Sequence, residues 1–271
     1  MSDGGRAYRH GEPAWVDLTT TDDSRALAFY SALFGWRGDR EPIGGGAHYT
    51  TCLLGAEPVA GITASVPRHG ARGWTTYFAV DEIDASVALA RRLGARVLSG
   101  IVHYKDAGRA VAVEDPQGAV FGLFEAGPRL GITVLNRPGA LCWNELDTPE
   151  PAQALDFYCP LFDYDVREVS SATGGQYSIF TVDGIPAAGM VALEDDWPTV
   201  LPARWLSYFA VTDLADATGR LRELGGSLAL GPLTSRYAES SIVRDPFRNV
   251  FCLSRLIDPL RRDPLISDAD L

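Results

Sequence analysis

The segment WVDLTTTDDSRALAFYSALFGW, residues 15–36, is written a second time as WNELDTPEPAQALDFYCPLFDY at 143–164. At a shift of 128 the two share nine identities over 22 positions: Trp15/Trp143, Leu18/Leu146, Thr20/Thr148, Ala26/Ala154, Leu27/Leu155, Phe29/Phe157, Tyr30/Tyr158, Leu33/Leu161 and Phe34/Phe162. Each copy opens like a short strand and continues with apolar residues at helical spacing, with N-cap chemistry offered by Thr21, Asp22 and Asp23 in the first copy and Gly35 placed to end the helix. The order that follows also repeats. HYTTC (48–52) aligns with QYSIF, PVAGI with PAAGM, YFAV (77–80) with YFAV (208–211), and VEDPQGAVFGL with VRDPFRNVFCL. The shift varies only between 128 and 131, with the extra residues in inferred loops, as a structural duplication requires.

A shorter period lies inside each half. Trp15 and Trp74 are 59 residues apart, as are Gly35 and Gly94, and Trp143 and Trp205 are 62 apart. The chain thus reads as four copies of a strand–helix–strands unit, each opened by a tryptophan. Residues 1–12 read as a flexible lead-in, 13–125 as a first module, 126–139 as a linker, 140–255 as a second module and 256–271 as a polar tail.

A formal net charge of -11 argues against a nucleic-acid partner and against attraction to an anionic membrane. The four cysteines (Cys52, Cys142, Cys159, Cys252) are widely spaced and read as reduced thiols. The N-terminus has no apolar core of the signal-peptide type and no run reaches membrane-spanning length, so a cytoplasmic location is expected.

The repeated ALAFYSALFGW segment, the YFAV strands and GRAVAVEDPQGAVFGLF (108–124) resemble the vicinal oxygen chelate superfamily, which includes glyoxalase I, extradiol dioxygenases and bleomycin-resistance proteins. The resemblance spans about residues 13–255. It implies an α+β fold of four tandem βαβββ units, paired into two modules whose curved mixed sheets enclose clefts. It also implies where a metal would sit. The family's His or Gln ligand falls at Trp15 and Trp143, and in the second units at Trp74 or Thr75 and at Trp205 or Leu206. Its ligand glutamate falls at Gly122 and Cys252, with Gly61 and Gly189 on the equivalent strands. These residue types do not make a divalent-cation cage. All four histidines (His10, His48, His69, His103) lie in the first half. Neither a metal nor another cofactor is expected.

Strand alternation places Asp17 on the face of Trp15, and Glu145 and Asp147 on the face of Trp143. A carboxylate beside indole in a closed cleft has a raised pKa and suits general acid–base work; the competing reading is a structural carboxylate paired with an arginine or a backbone amide. Trp15, Tyr49, Trp74, Tyr77, Trp143, Tyr177, Trp205 and Tyr208 are candidate walls for a hydrophobic or aromatic ligand, against the alternative that the tryptophans are core. His48 and His103 are candidate proton shuttles or surface histidines. Cys252 is a candidate ligand contact or a buried inert thiol.

Three functions remain open on these residues: a metal-independent enzyme acting on a hydrophobic or aromatic metabolite through Asp17 or Glu145; a binding protein that sequesters such a molecule; and, less compatible with the residues, a metal-dependent glyoxalase or dioxygenase. Monomer and homodimer are both compatible with the duplication.

Overall fold

A computed structural model describes residues 8–44, 47–64, 73–104, 107–127, 131–170, 176–193 and 203–257. The first module contains β1 (Pro13–Thr20), α1 (Asp23–Phe34), β2 (Arg37–Gly44), β3 (Ala47–Leu54), β4 (Glu57–Ala64), β5 (Gly73–Ala79), α2 (Ile83–Arg92), β6 (Arg96–Val97), β7 (Val102–Tyr104), β8 (Gly108–Glu114) and β9 (Val120–Ala126). The second contains β10 (Leu141–Thr148), α3 (Pro151–Phe162), β11 (Asp165–Ser170), β12 (Gln176–Val182), β13 (Ile185–Ala192), β14 (Arg204–Ala210), α4 (Leu214–Glu223), β15 (Ser227–Thr234), β16 (Ala238–Arg244) and β17 (Val250–Leu256). Four βαβββ units therefore form two curled mixed sheets, ordered β2-β3-β4-β1-β5-β9-β8-β6 with β7 on β8, and β11-β12-β13-β10-β14-β17-β16-β15. The two units of each module meet at an antiparallel seam, β1 with β5 and β10 with β14.

The helix ends follow the local chemistry. Asp22 caps α1 by accepting from the Arg25 N–H at 2.9 Å, and Gly35 closes it with φ 77°. Asp163 takes the same left-handed position at the end of α3, with φ 55°. β2 and β11 are strands that the sequence pattern does not announce. The run RGDREPIG lacks apolar alternation and forms a strand because β3 is beside it.

The seam has two faces with different fates. On one, Val16, Leu18, Trp74, Thr76 and Phe78 turn towards the second module, where Leu146, Trp205, Ser207 and Phe209 do the same. The sheets cross there: Phe78 lies 4.8 Å from Trp205, Trp74 lies 5.0 Å from Phe209, and Thr76 Oγ1 donates to Asn144 Oδ1 at 2.7 Å. Each of the two large cores mixes modules. One joins the first unit to the fourth (Tyr30, Phe34, Phe209, Phe251) together with Trp74 of the second, the other the second to the third (Phe78, Phe121, Tyr158, Phe162) together with Trp205 of the fourth.

Two matched hydrogen-bonded hooks bind the modules. Tyr30 Oη donates to Asp245 Oδ2 at 3.0 Å and accepts from Trp74 Nε1 at 3.0 Å. Tyr158 Oη donates to Asp115 Oδ2 at 2.8 Å and accepts from Trp205 Nε1 at 2.9 Å. The repeated FY pair and the repeated DP turn are thus docking elements, each helix tyrosine reaching the turn of the opposite module. Tyr30→Phe leaves Asp245 and the Trp74 indole each short of a partner in a dry core. We expect a loss of about 1.5–3 kcal/mol in chemical denaturation, the range for a buried bond to a charged group.

Of the lead-in expected over residues 1–12, residues 8–12 are described and pack onto the fold. Gly11 N–H donates to Ala79 O at 2.8 Å, His10 Nε2 bonds Leu161 O at 3.0 Å, and Glu12 is buried. The segment 131–139 lies against both modules, with Ile132 buried and Trp36 Nε1 donating to Gly139 O at 2.7 Å. His69 and the tail from 258 onward lie outside the described residues. Among the described residues, no helix is long and apolar enough to cross a membrane.

Candidate functional site

The opposite face of each seam lines a concave surface. In the first module the register pairs Trp15 with Tyr77 and Asp17 with Thr75, so these four share that face. Tyr49 joins them from β3. Trp15 Nε1 donates to Asp17 Oδ1 at 2.7 Å, and Tyr49 Oη donates to the same oxygen at 2.5 Å. The Tyr77 hydroxyl lies near the same carboxylate. Gly61 makes this geometry available, because a methyl group there would overlap Tyr49 Oη and Asp17 Oδ1. Gly122 does the same for the Tyr77 ring.

Burial pushes the Asp17 carboxyl up to about 6, and the bonds from Tyr49 and Trp15, with the nearby Tyr77 hydroxyl, restrain the rise. The three phenols around it, Tyr49, Tyr77 and Tyr104, are pushed upward by burial and then by the Asp17 charge, so they remain neutral donors. The result is a carboxylate that is ionised at neutral pH yet holds a proton at mildly acidic pH, set among uncharged donors.

The second module repeats the plan with a different charge pattern. Trp143 pairs with Tyr208, Glu145 with Leu206, and Asp147 with Arg204. Trp143 Nε1 donates to Tyr177 Oη at 2.8 Å, above Gly189, while Tyr208 Oη donates to Glu145 Oε1. Burial, then the neighbouring Asp147, raises Glu145 to about 7. Asp147 is raised by burial and held back by Arg204, whose Nε and Nη2 donate to Oδ2 at 3.0 and 2.9 Å. The two floors differ in bulk. Thr75, Ala112 and Gly122 of the first module stand where the second has Leu206, Ile242 and Cys252, which pack together and are buried.

The structure thus brings together Trp15, Asp17, Tyr49 and Tyr77 in one cleft, and Trp143, Glu145, Tyr177, Tyr208 and Cys252 in the other. It does not bring in the remaining candidates. Trp74 and Trp205 are core residues on the far side of their strands, bonded to Tyr30 and Tyr158, because Trp74 pairs with Leu18 rather than with a cleft residue. His48 neighbours Tyr49 and so points to the opposite face of β3. His103 is exposed on the outer face of β7, paired with Arg109 and close to Glu125. Cys252 is fully buried beside Tyr208, and burial pushes its thiol well above the usual range, which leaves it un-ionised. Two residues were missed. Tyr104 lies one position beyond His103, and strand parity alone would have exchanged them. Arg204 carries no repeat signal, since its counterpart is Gly73.

Among the described residues, neither cleft presents a divalent-cation donor set. An indole N–H donates only, and the phenols around Asp17 stay protonated, leaving one described carboxylate in the first cleft. In the second, Asp147 already accepts two bonds from Arg204. Among the described residues, no three His, Cys, Asp or Glu side chains are grouped as a cation would need.

Two tandem modules of paired βαβββ units, each curling over a concave face, define the vicinal oxygen chelate class. The sequence matches the Glyoxalase/Bleomycin resistance protein/Dioxygenase superfamily over residues 13–123 and 143–253, and the chain belongs to that superfamily. It is 37% identical over 254 residues to CFP32 of Mycobacterium tuberculosis, which carries a provisional glyoxylase name; the match covers 90% of this chain and 94% of that protein. It is 28% identical over 253 residues to the anthracycline biosynthesis protein DnrV of Streptomyces peucetius, covering 88% and 91%. Among solved structures, the Mn(II)-bound glyoxalase from Novosphingobium aromaticivorans superposes with a TM-score of 0.64 at 14% identity, covering 93% of this chain and 84% of that one. At that identity the superposition establishes the fold alone.

Proposed function

We propose that the first-module cleft binds a flat hydrophobic or aromatic molecule and acts on it by metal-independent acid–base chemistry, with Asp17 as the proton acceptor. One observation carries this reading: Asp17 is a buried carboxylate facing a concave aromatic surface, held by neutral donors and, among the described residues, paired with no cation. A structural carboxylate of that depth ordinarily has a positive partner, as Asp147 has in Arg204. The smaller floor residues favour the first module as the working cleft. The half-buried rings of Trp15, Tyr49 and Tyr77 suit a fused-ring ligand. The likeness to DnrV supports the same ligand class, since an anthracycline is a flat fused-ring aromatic.

A non-catalytic binding role is the second reading. It draws support from Asp17 Oδ1 already accepting from both Trp15 and Tyr49, a tie that also serves a passive wall. Both readings share the ligand, which can be tested with 1,8-dihydroxyanthraquinone and chelator-stripped protein. Saturable quenching of tryptophan fluorescence in the micromolar range is expected, weakened at least tenfold by Trp15→Leu and unaffected by Trp143→Leu. Binding that appears only after zinc, manganese or iron is restored would overturn the metal-independent reading.

A further inference from the structure

We propose that Tyr104 is the carbonyl-oxygen donor of the first-module cleft, and that the substrate class is a flat aryl ketone or quinone-like molecule with an acidic C–H next to its carbonyl. This deepens, and rests on, the assignment of Asp17 as proton acceptor.

Tyr104 ends β7, the short strand that pairs only with β8 at the margin of the sheet. The register sets it opposite Gly108, on the face shared with Ala110 and Tyr77, and its ring centroid lies 6.1 Å from that of Tyr49. Its ring packs against the small cluster of Ala14, Ala79, Ala110 and Phe124. Tyr49 donates to that carboxylate and Tyr77 stands beside it, whereas no residue among those described bonds the Tyr104 hydroxyl. A half-buried phenol with an uncommitted O–H, at the edge of a cleft whose floor is a carboxylate, is placed to donate to a ligand. At the equivalent place, opposite Ala238, the second module has Ser235, and the nearby Tyr237 carries Arg236 on its ring and hydroxyl. The feature therefore belongs to one cleft and is not a by-product of the duplication.

A base and a separate neutral donor in an apolar cleft are the two groups that proton abstraction beside a carbonyl needs. The Asp17 carboxylate takes the proton from the α-carbon. The C–H electron pair becomes the new C=C π bond, and the C=O π pair moves onto oxygen, where the Tyr104 O–H hydrogen bond stabilises it. Return of the proton from the Asp17 carboxyl to the same or a conjugated carbon completes an exchange or isomerisation. No oxidant or reductant is consumed. A phenol is suited to the donor role because it stays neutral while the oxygen gains charge.

The test uses 2-tetralone, a benzo-fused bicyclic ketone, with deuterium exchange at its benzylic α-carbon followed by NMR in D2O on the full chain. Wild type is expected to exchange well above the buffer rate. Tyr104→Phe keeps the ring against Tyr49 and is expected to slow exchange by about 10²-fold, as for loss of one oxyanion donor. Its Kd, read by tryptophan quenching, should stay within about twofold, with the pH inflection unchanged. Unchanged exchange in Tyr104→Phe, or a fall that merely follows lost binding, overturns the donor role and leaves Asp17 standing. Exchange at the wild-type rate in Asp17→Asn would instead remove the underlying reading. A wild type that binds the anthraquinone probe but exchanges 2-tetralone no faster than buffer overturns the carbonyl class alone.

Discussion

Asp17→Asn is expected to reduce proton transfer in the first-module cleft by about 10²–10⁴-fold, the usual contribution of a positioned acid–base group, while ligand binding falls by less than tenfold. The asparagine amide has the shape to accept from Trp15 Nε1 and Tyr49 Oη through its oxygen, so the wall survives when the base is lost. The same assignment sets a pH profile. The groups facing Asp17 are Tyr49 on β3, Tyr77 on β5 and Tyr104 on β7, all held neutral by burial. With the carboxyl titrating at about 6, turnover is expected to rise with pH through that value and then level off. A flat profile from pH 5 to 8 would remove Asp17 from the chemistry, and full turnover in the asparagine variant would do so directly. Glu145→Gln, altering the more filled cleft, is expected to leave turnover unchanged.

Thermal stability is expected to be higher near pH 5.5 than near pH 8, the reverse of a protein whose carboxylates are held by cations. Asp17 is raised to about 6 and Glu145 to about 7, and burial is the first cause in both. Asp115, Asp147 and Asp245 are raised in the same direction. A folded state with raised carboxyl pKa values binds protons that the unfolded chain does not take up until about pH 4. Stability from these groups is therefore gained as pH falls through 7 and 6, and is lost as pH rises through the same range. Each pH unit of displacement corresponds to about 1.4 kcal/mol, so Asp17 and Glu145 contribute at most about 3 kcal/mol each. Glu125 moves the other way through its bond to Arg109, but it acts only below the ordinary carboxyl range. A calorimetric Tm several degrees higher at pH 5.5 is expected, with the difference reduced in Asp17→Asn. A Tm that climbs steadily from pH 5 to 8 would show that these carboxyls are solvated rather than buried.

Several features of the site were legible in the sequence because they follow from residue type and local pattern. Asp17 and Glu145 stand two positions from a repeated tryptophan, and period-two alternation puts them on that tryptophan's face without reference to the rest of the fold. Tyr49 and Tyr177 likewise recur at a fixed distance from Trp15 and Trp143. What alternation leaves open is parity. Trp74 and Trp205 open their units as Trp15 and Trp143 do, yet they enter the core, because the antiparallel register pairs Trp74 with Leu18 and Trp205 with Leu146. A slip of one residue exchanges the faces of a whole strand, and the partner strand that decides it is some 60 residues away in sequence.

The duplicated strand–helix–strands pattern, written in local periodicity and in repeated FY and DP motifs, by itself determined the fold, the number of units and the cleft-facing carboxylates. Only the tertiary structure decided what those motifs do. Tyr30 and Tyr158 cross to Asp245 and Asp115 of the opposite module, and Gly61 and Gly122 leave the space in which phenols close over Asp17. Tyr104, not His103, completes that cleft, and the bulk of Leu206, Ile242 and Cys252 separates one cleft from its copy. The division has one physical cause. Periodicity is a property of neighbours along the chain, whereas the face a side chain occupies, and the room it has there, are set by strands that meet only when the sheet closes.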